Sequence, residues 1–290
     1  MQVLSRFKTA LLLMKDSLLI LRHNPKLLMF PVISGAAGIA FLGVFFGLTF
    51  GIGGLELGGE SAAFVPFIIL LALLYLLLTF VSVFFTAALV HQTRAVLHGE
   101  APSLEAGVRG AWAVKRPLFV WALISATVGV VLNAIQDSNS TLGRILAGLF
   151  GIAWTLMTFL IVPVIVFEER SVTGMFKQSA STFKQTWGET PVSLAGIGLL
   201  SFVLAIPFAI PGYVLITELG YDLLGFGLIG IGVAIGGVVS HTFKGIVKTT
   251  LYFYATEGTL PEEFGDVDPS TLARSASQNT SGMSGRDGQI

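Results

Sequence analysis

The chain has 290 residues, 53% hydrophobic and 12% charged, with 17 basic and 17 acidic side chains and a formal net charge of zero. Its mean hydropathy is +0.82, whereas a soluble domain carries about 25% charged residues, so too few charges are present to keep an aqueous surface soluble and lipid is the natural solvent. The neutral balance gives no sign of nucleic acid, and the absence of cysteine excludes disulfides, thiolate metal sites and Cys nucleophiles.

Residues 3–23 read as an amphipathic helix. Leu4, Phe7, Leu11, Met14, Leu18 and Leu21 recur at spacings of three and four, with Lys8, Lys15 and Arg22 opposite. These charges interrupt the apolar run that a cleavable signal peptide needs, so insertion is expected from the first true span. A span takes about 20 predominantly apolar residues. Six stretches qualify, at about 27–50, 64–90, 117–135, 142–167, 192–217 and 223–246. The second holds no charge at all. The sixth is the least clean, because His241, Lys244 and Lys248 enter its end. A high glycine content, 34 residues, suits close helix packing in lipid.

Two further cytoplasmic segments repeat the first. One has Leu104, Val108, Ala111 and Trp112 on one face and Glu105 and Arg109 on the other. The next has Val172, Phe176, Ser179, Phe183 and Trp187 against Lys177, Gln178, Lys184 and Gln185. Each begins at a serine suited to an N-cap (Ser5, Ser103, Ser171) and ends at a proline (Pro25, Pro117, Pro191) that suits the first turn of the following span. The unit of interfacial helix, span, short loop and span therefore occurs three times. The expected fold is all-α, a polytopic integral membrane bundle of about six transmembrane helices and three cytoplasmic-side amphipathic helices. Residues 1–256 would form a single transmembrane domain and 257–290, acidic and then rich in Ser, Gly, Asn and Gln, a disordered cytoplasmic tail.

Orientation follows from loop lysines and arginines. One side collects Arg6, Lys8, Lys15, Arg22 and Lys26, then Arg94, Arg109, Lys115 and Arg116, then Arg170, Lys177 and Lys184, and finally Lys244, Lys248, Arg274 and Arg286. The other side borders only Arg144 and carries Glu56, Glu60, Asp137, Glu218 and Asp222. The expectation is a protein of the cytoplasmic membrane with both termini inside.

The chain resembles an uncharacterised family of prokaryotic multi-pass membrane proteins, catalogued as a domain of unknown function. The matching stretches are RHNPKLLMFPVIS (22–34), FFTAALV (84–90), GVRGAWAVKRPLFVWALISATVG (107–129), GIAWTLMTFLIVPVIVFEE (151–169), FKQSASTFKQTWGE (176–189) and TLYFYATEGTLPEEF (250–264). The resemblance implies a six-span bundle with interfacial helices and supplies no catalytic or binding residues. A looser likeness joins the chain to membrane domains fused to glycerophosphodiesterases, but no phosphodiesterase domain is present to carry the chemistry.

Candidate chemistry is sparse. No acidic residue falls inside a span, which argues against an ion-coupled carrier. Tyr75, Thr79, Ser82 and Thr86 form a hydroxyl stripe on the second span, and Gly148, Gly151, Thr155 and Thr158 a similar stripe on the fourth. Either the hydroxyls line a polar pathway, or they mediate helix packing by bonding to the backbone one turn back. His241 and Lys244 either line a cytoplasm-facing cavity or mark the membrane exit by snorkelling. Lys8, Lys15, Arg22, Arg109, Lys177 and Lys184 would contact lipid headgroups, or simply solvate structural elbows. Histidines 23, 91, 98 and 241 are too scattered for a metal site, and His98-Gly99-Glu100 lacks the second histidine of a zincin. Gly43, Gly47 and Gly51, and Gly232, Gly236 and Ser240, recur every four residues as packing motifs. Pro163, Pro207 and Pro211 should kink their spans. No nucleotide-binding loop or nucleophile elbow occurs. The reading is a non-enzymatic membrane protein without cofactor or metal, organising membrane lipid, a second copy or another membrane protein; the alternative is a transporter or channel for a small or lipidic solute.

Overall fold

The computed structural model describes residues 15, 17–51, 61–137, 141–168, 170–185 and 190–257, and among these every regular element is helical. Residues 17–23 form α1, and a 3-10 turn spans Pro25–Leu28. Then follow α2 (Met29–Gly51), α3 (Ser61–Leu97), α4 (Leu104–Ala113), α5 (Lys115–Gln136), α6 (Thr141–Met157), α7 (Ile161–Phe167), α8 (Val172–Gln185), α9 (Thr190–Thr217) and α10 (Asp222–Glu257). Ser5, Lys8, Trp187 and the tail from 258 lie outside the described residues.

Five helical segments are long and apolar enough to cross a membrane: Pro25–Phe50, Val65–Leu97, Lys115–Gln136, Thr141–Phe167 and Asp222–Thr256. They coincide with five of the six expected spans. The remaining expectation falls on α9, whose described apolar part, Phe202–Thr217, is shorter. Large apolar side chains such as Ile39, Val65, Leu149, Phe202 and Leu223 lie exposed along these helices, an outer surface that suits hydrocarbon.

Two boundaries differ from the sequence expectation. The last helix does not end near residue 246 but continues to Glu257. Lysine is a good helix former, so Lys244 and Lys248 leave the helix intact, and the stretch beyond them is well buried at Leu251, Tyr252 and Phe253. The fourth span breaks at residues 158–160, between α6 and α7. Pro163 has no N–H to donate to the carbonyl of Phe159, so the ladder is interrupted in the preceding turn. Pro207 and Pro211, by contrast, sit inside one continuous helix.

The chain folds as two compact units. One contains α2, α3 as far as Gln92, α4 to α7 and α8 as far as Ser179. Its helices meet through rings. Trp121 of α5 stacks on Trp154 of α6, with centroids 5.8 Å apart and planes at 19°. Phe176 of α8 meets Trp121 edge-on at 5.7 Å and Trp154 at 5.7 Å. Phe80 of α3 meets Phe119 of α5 at 5.8 Å.

The other unit contains α1, the Pro25–Leu28 turn, Thr93–Pro102, the end of α8, α9 and α10. Here α9 and α10 form a hairpin whose backbones nearly touch. A Cβ at Gly225 would lie 2.6 Å from the carbonyl oxygen of Gly212, and one at Gly212 would lie 2.8 Å from that of Gly225. A Cβ at Gly232 would fall 2.6 Å from the Phe208 Cβ. Arg94 lies over the ring of Phe253 at 5.7 Å. Of the small-residue motifs, Gly232 is thus used within the chain, while Gly43 and Gly47 face open space.

Gly225→Ala is expected to destabilise by about 1–3 kcal/mol, because the new methyl would meet the Gly212 carbonyl oxygen of the backbone as well as the Ile216 side chain. Gly230→Ala, which meets nothing within 4 Å, should be neutral or stabilising by up to about 1 kcal/mol. Thermal unfolding of the two variants in detergent checks the contrast.

Candidate functional site

The end of α3 and the whole of α4 form one built feature. Gly99 adopts φ +77°, and Glu100 N donates to the Ala95 carbonyl at 2.9 Å, which closes α3 in a left-handed C-terminal cap. Ser103 then caps α4, its Oγ accepting from Ala106 N at 3.4 Å. The Ser103 N–H itself donates to Oε1 of Gln92 at 2.6 Å, and Gln92 is buried. From there α4 lies against α3 through two glycines. A Cβ at Gly107 would meet the Phe30 ring at 2.7 Å and the Gln92 side chain at 2.8 Å. A Cβ at Gly110 would overlap the ring of His91.

This docking corrects the face expected for α4. Gly107 and Ala111 are buried, whereas Trp112 is 58% exposed. The closest approach is made where side chains are absent, so the helix seats on its glycines and turns the indole to the rim. There Lys115 Nζ sits 4.2 Å over the Trp112 ring. Glu105 and Arg109 pair one turn apart on the outer side, both well exposed. Such a pair contributes no more than about 1 kcal/mol, so it shapes the surface rather than the fold.

The third helix expected at the interface, α8, buries Met175, Ser179, Thr182 and Phe183 and exposes Lys177 and Lys184. Ser171 caps it, accepting from Gly174 N at 3.3 Å. Val172, expected on the inner face, is exposed. On α1, Ser17, Ile20 and Leu21 are buried and Arg22 is exposed, as is Lys15 just before it. The described members of the candidate headgroup set, Lys15, Arg22, Arg109, Lys177 and Lys184, are therefore all exposed, on three separate helices.

The hydroxyl stripes are locally bonded. Thr79 donates to the Tyr75 carbonyl (2.8 Å), Thr86 to Ser82 (2.7 Å), Thr155 to Gly151 (2.8 Å) and Thr158 to Trp154 (2.7 Å). Each donor is committed one turn back along its own helix. Tyr75 instead reaches across to α5, where a Cβ at Gly129 would lie 2.8 Å from its hydroxyl oxygen. It borders an open groove of about 800 Å³ between α3 and α5, walled by Ile69, Ala72 and Ala126 with Thr127 and Asn133. Thr155 and Thr158 of α6 are not among the groove's walls. On α10, His241 is half-buried and Lys244 exposed.

Sequence reasoning missed two polar features. Gln92 ties α3 to α4 from eleven residues before the Ser103 cap, a separation that leaves no local signal. Glu168 and Arg170 form an ion pair immediately after α7; Arg170 entered only as a loop charge and Glu168 not as a site at all, because pairing across one intervening residue leaves no periodic trace.

A protein-family model, described as a family of unknown function, matches residues 65–261. The chain belongs to DUF6159. No curated protein matches it. The DUF6159 match runs from the start of the second apolar span past the end of α10, and so includes both α4 and α8.

Replacing Gln92 by Ala leaves the Ser103 amide without its acceptor and should cost about 1–3 kcal/mol. Hydrogen exchange should quicken at Ser103 and through the first turn of α4 while α5 stays protected; unchanged exchange there would show that the docking rests on the glycines alone.

Proposed function

We propose that this DUF6159 protein is a multi-pass protein of the cytoplasmic membrane, crossing it six times with both termini inside. It works without chemistry of its own, holding membrane lipid, a second copy or another membrane protein at its interfacial helices. The docked α4 carries the reading. A helix seated on Gly107 and Gly110 is held firmly, yet it turns Arg109 and Trp112 outward, and Lys115 at the start of α5 lies over the indole. An indole beside cationic side chains is the arrangement that suits the boundary between acyl chains and headgroups. The exposed Lys177 and Lys184 of α8 and Lys15 and Arg22 around α1 present the same chemistry. The loop charges support the orientation, since the opposite side borders on Arg144 alone.

Native mass spectrometry of the full chain, released gently from its own membranes, tests this. A defined oligomer, or a chain retaining phospholipid or a second protein, is the expected result. A bare monomer would sink the proposal.

The groove between α3 and α5 favours a second reading, passage of a lipidic solute along an apolar surface. Its walls are almost wholly hydrocarbon and its volume, about 800 Å³, is within the range of ligand sites. In liposomes, transfer of a fluorescent lipid between leaflets that drops when Ala72→Trp fills the groove would favour this reading. No transfer by the unaltered protein would remove it.

A further inference from the structure

We propose that the pocket between the α4–α5 joint and the segment linking α7 to α8 holds a zwitterionic phospholipid headgroup, a phosphate and a primary ammonium two carbons apart. The proposal rests on the lipid-holding reading above and adds to it a place and a lipid class.

The pocket measures about 570 Å³, a size typical of ligand sites. Val114 and Pro117 wall it from the joint, Ile165 and Met175 from the other side, and Glu168 and Arg170 give it a charged end. A cavity apolar on its walls and ionic at one end matches an amphiphile. Its depth fits too. Phe167 ends the apolar run Thr141–Phe167, and Pro117 lies in the first turn of the run Lys115–Gln136. Both ends belong to the basic side of the chain, at the level where acyl chains give way to headgroups.

The charges select among headgroups. Arg170 Nε donates to the Glu168 carboxylate, the arginine about half exposed and the glutamate largely buried. With Nε engaged, the terminal guanidinium nitrogens are the donors a phosphate oxygen would take. Glu168 offsets the charge of Arg170, so at this end of the pocket an anionic headgroup meets a pair with no net charge. A headgroup carrying its own ammonium places one charge against each partner.

The test uses the full chain in nanodiscs of equal phosphatidylethanolamine and phosphatidylglycerol, with retained lipid counted by native mass spectrometry after mild delipidation. The unaltered protein should keep phosphatidylethanolamine over phosphatidylglycerol by about fivefold, the upper worth of a partly exposed charge pair. Glu168→Gln should invert that preference, because Arg170 is then uncompensated. Arg170→Gln should lower retention of both lipids. Ala113→Phe, which narrows the pocket without altering either charge, should do the same. Melting midpoints within a few degrees of the unaltered protein identify the variants that are folded, and Ala113→Phe keeps the test decisive if Arg170→Gln is not.

Equal retention across all four proteins overturns the pocket and leaves the lipid-holding reading standing. Retention of no lipid by the unaltered protein removes both. Preference for phosphatidylglycerol in the unaltered protein overturns the zwitterion. Displacement of bound lipid by soluble glycerophosphoethanolamine at matched concentration overturns the membrane lipid as the source and assigns the site to a soluble phosphate ester.

Discussion

Along the long apolar helices every backbone N–H and C=O has to find its partner within the same helix, because hydrocarbon offers none. The side chains obey the same limit. Thr49, Thr79, Thr127, Thr155, Thr158, Thr217, Thr242 and Thr249 all donate to the carbonyl four residues back. The hydroxyls of these threonines are therefore not left to hold one helix to another, and in a membrane lipid tails would compete evenly with leucine for apolar contact. Association has to come from fit. In one unit it comes from removing side chains, at Gly212, Gly225 and Gly232. In the other it comes from interlocking large ones, at Trp121, Trp154 and Phe176.

The same two devices fix α4 and α8. α4 has glycines where it meets Phe30, His91 and Gln92, so the rings and amide of its neighbours fill the space. α8 does the reverse and lays Phe176 against two indoles. Both helices thus have a buried anchor and a cationic outer surface. That combination separates the proposed role from a passive elbow, which would need the anchor and have no use for an exposed Trp112 beneath Lys115.

How much of this was legible follows from which signals are local. Apolar runs located the spans, Ser103 and Ser171 marked two helix starts, and Pro25, Pro117 and Pro191 all fall in first turns. These depend on neighbours in sequence. The direction of Trp112 did not, because a wheel of apolar residues weighs an indole above a glycine, whereas packing favours whichever side allows closest approach. The length of α10 was also hidden: Lys244 and Lys248 look like an exit from lipid, yet the apolar residues after them are buried by protein. The hydroxyl stripes were visible as stripes, but only coordinates reveal that their donors turn back on their own helices. The Glu168–Arg170 pocket depends on two segments about fifty residues apart in the chain and leaves no mark in either.

The 37 residues of α3 make a rod about 55 Å long at 1.5 Å per residue, against a hydrocarbon layer of about 30 Å. A rod cannot shorten to follow a thinner bilayer; it leans. The far end of α3 carries His91 and Gln92, the two side chains on which α4 is seated. In the proposed membrane setting, leaning would swing α4 through an arc and lift or lower Arg109 and Trp112 relative to the lipid phosphates. Membrane thickness would then be geared to the height of a cationic surface, with α3 as the lever arm.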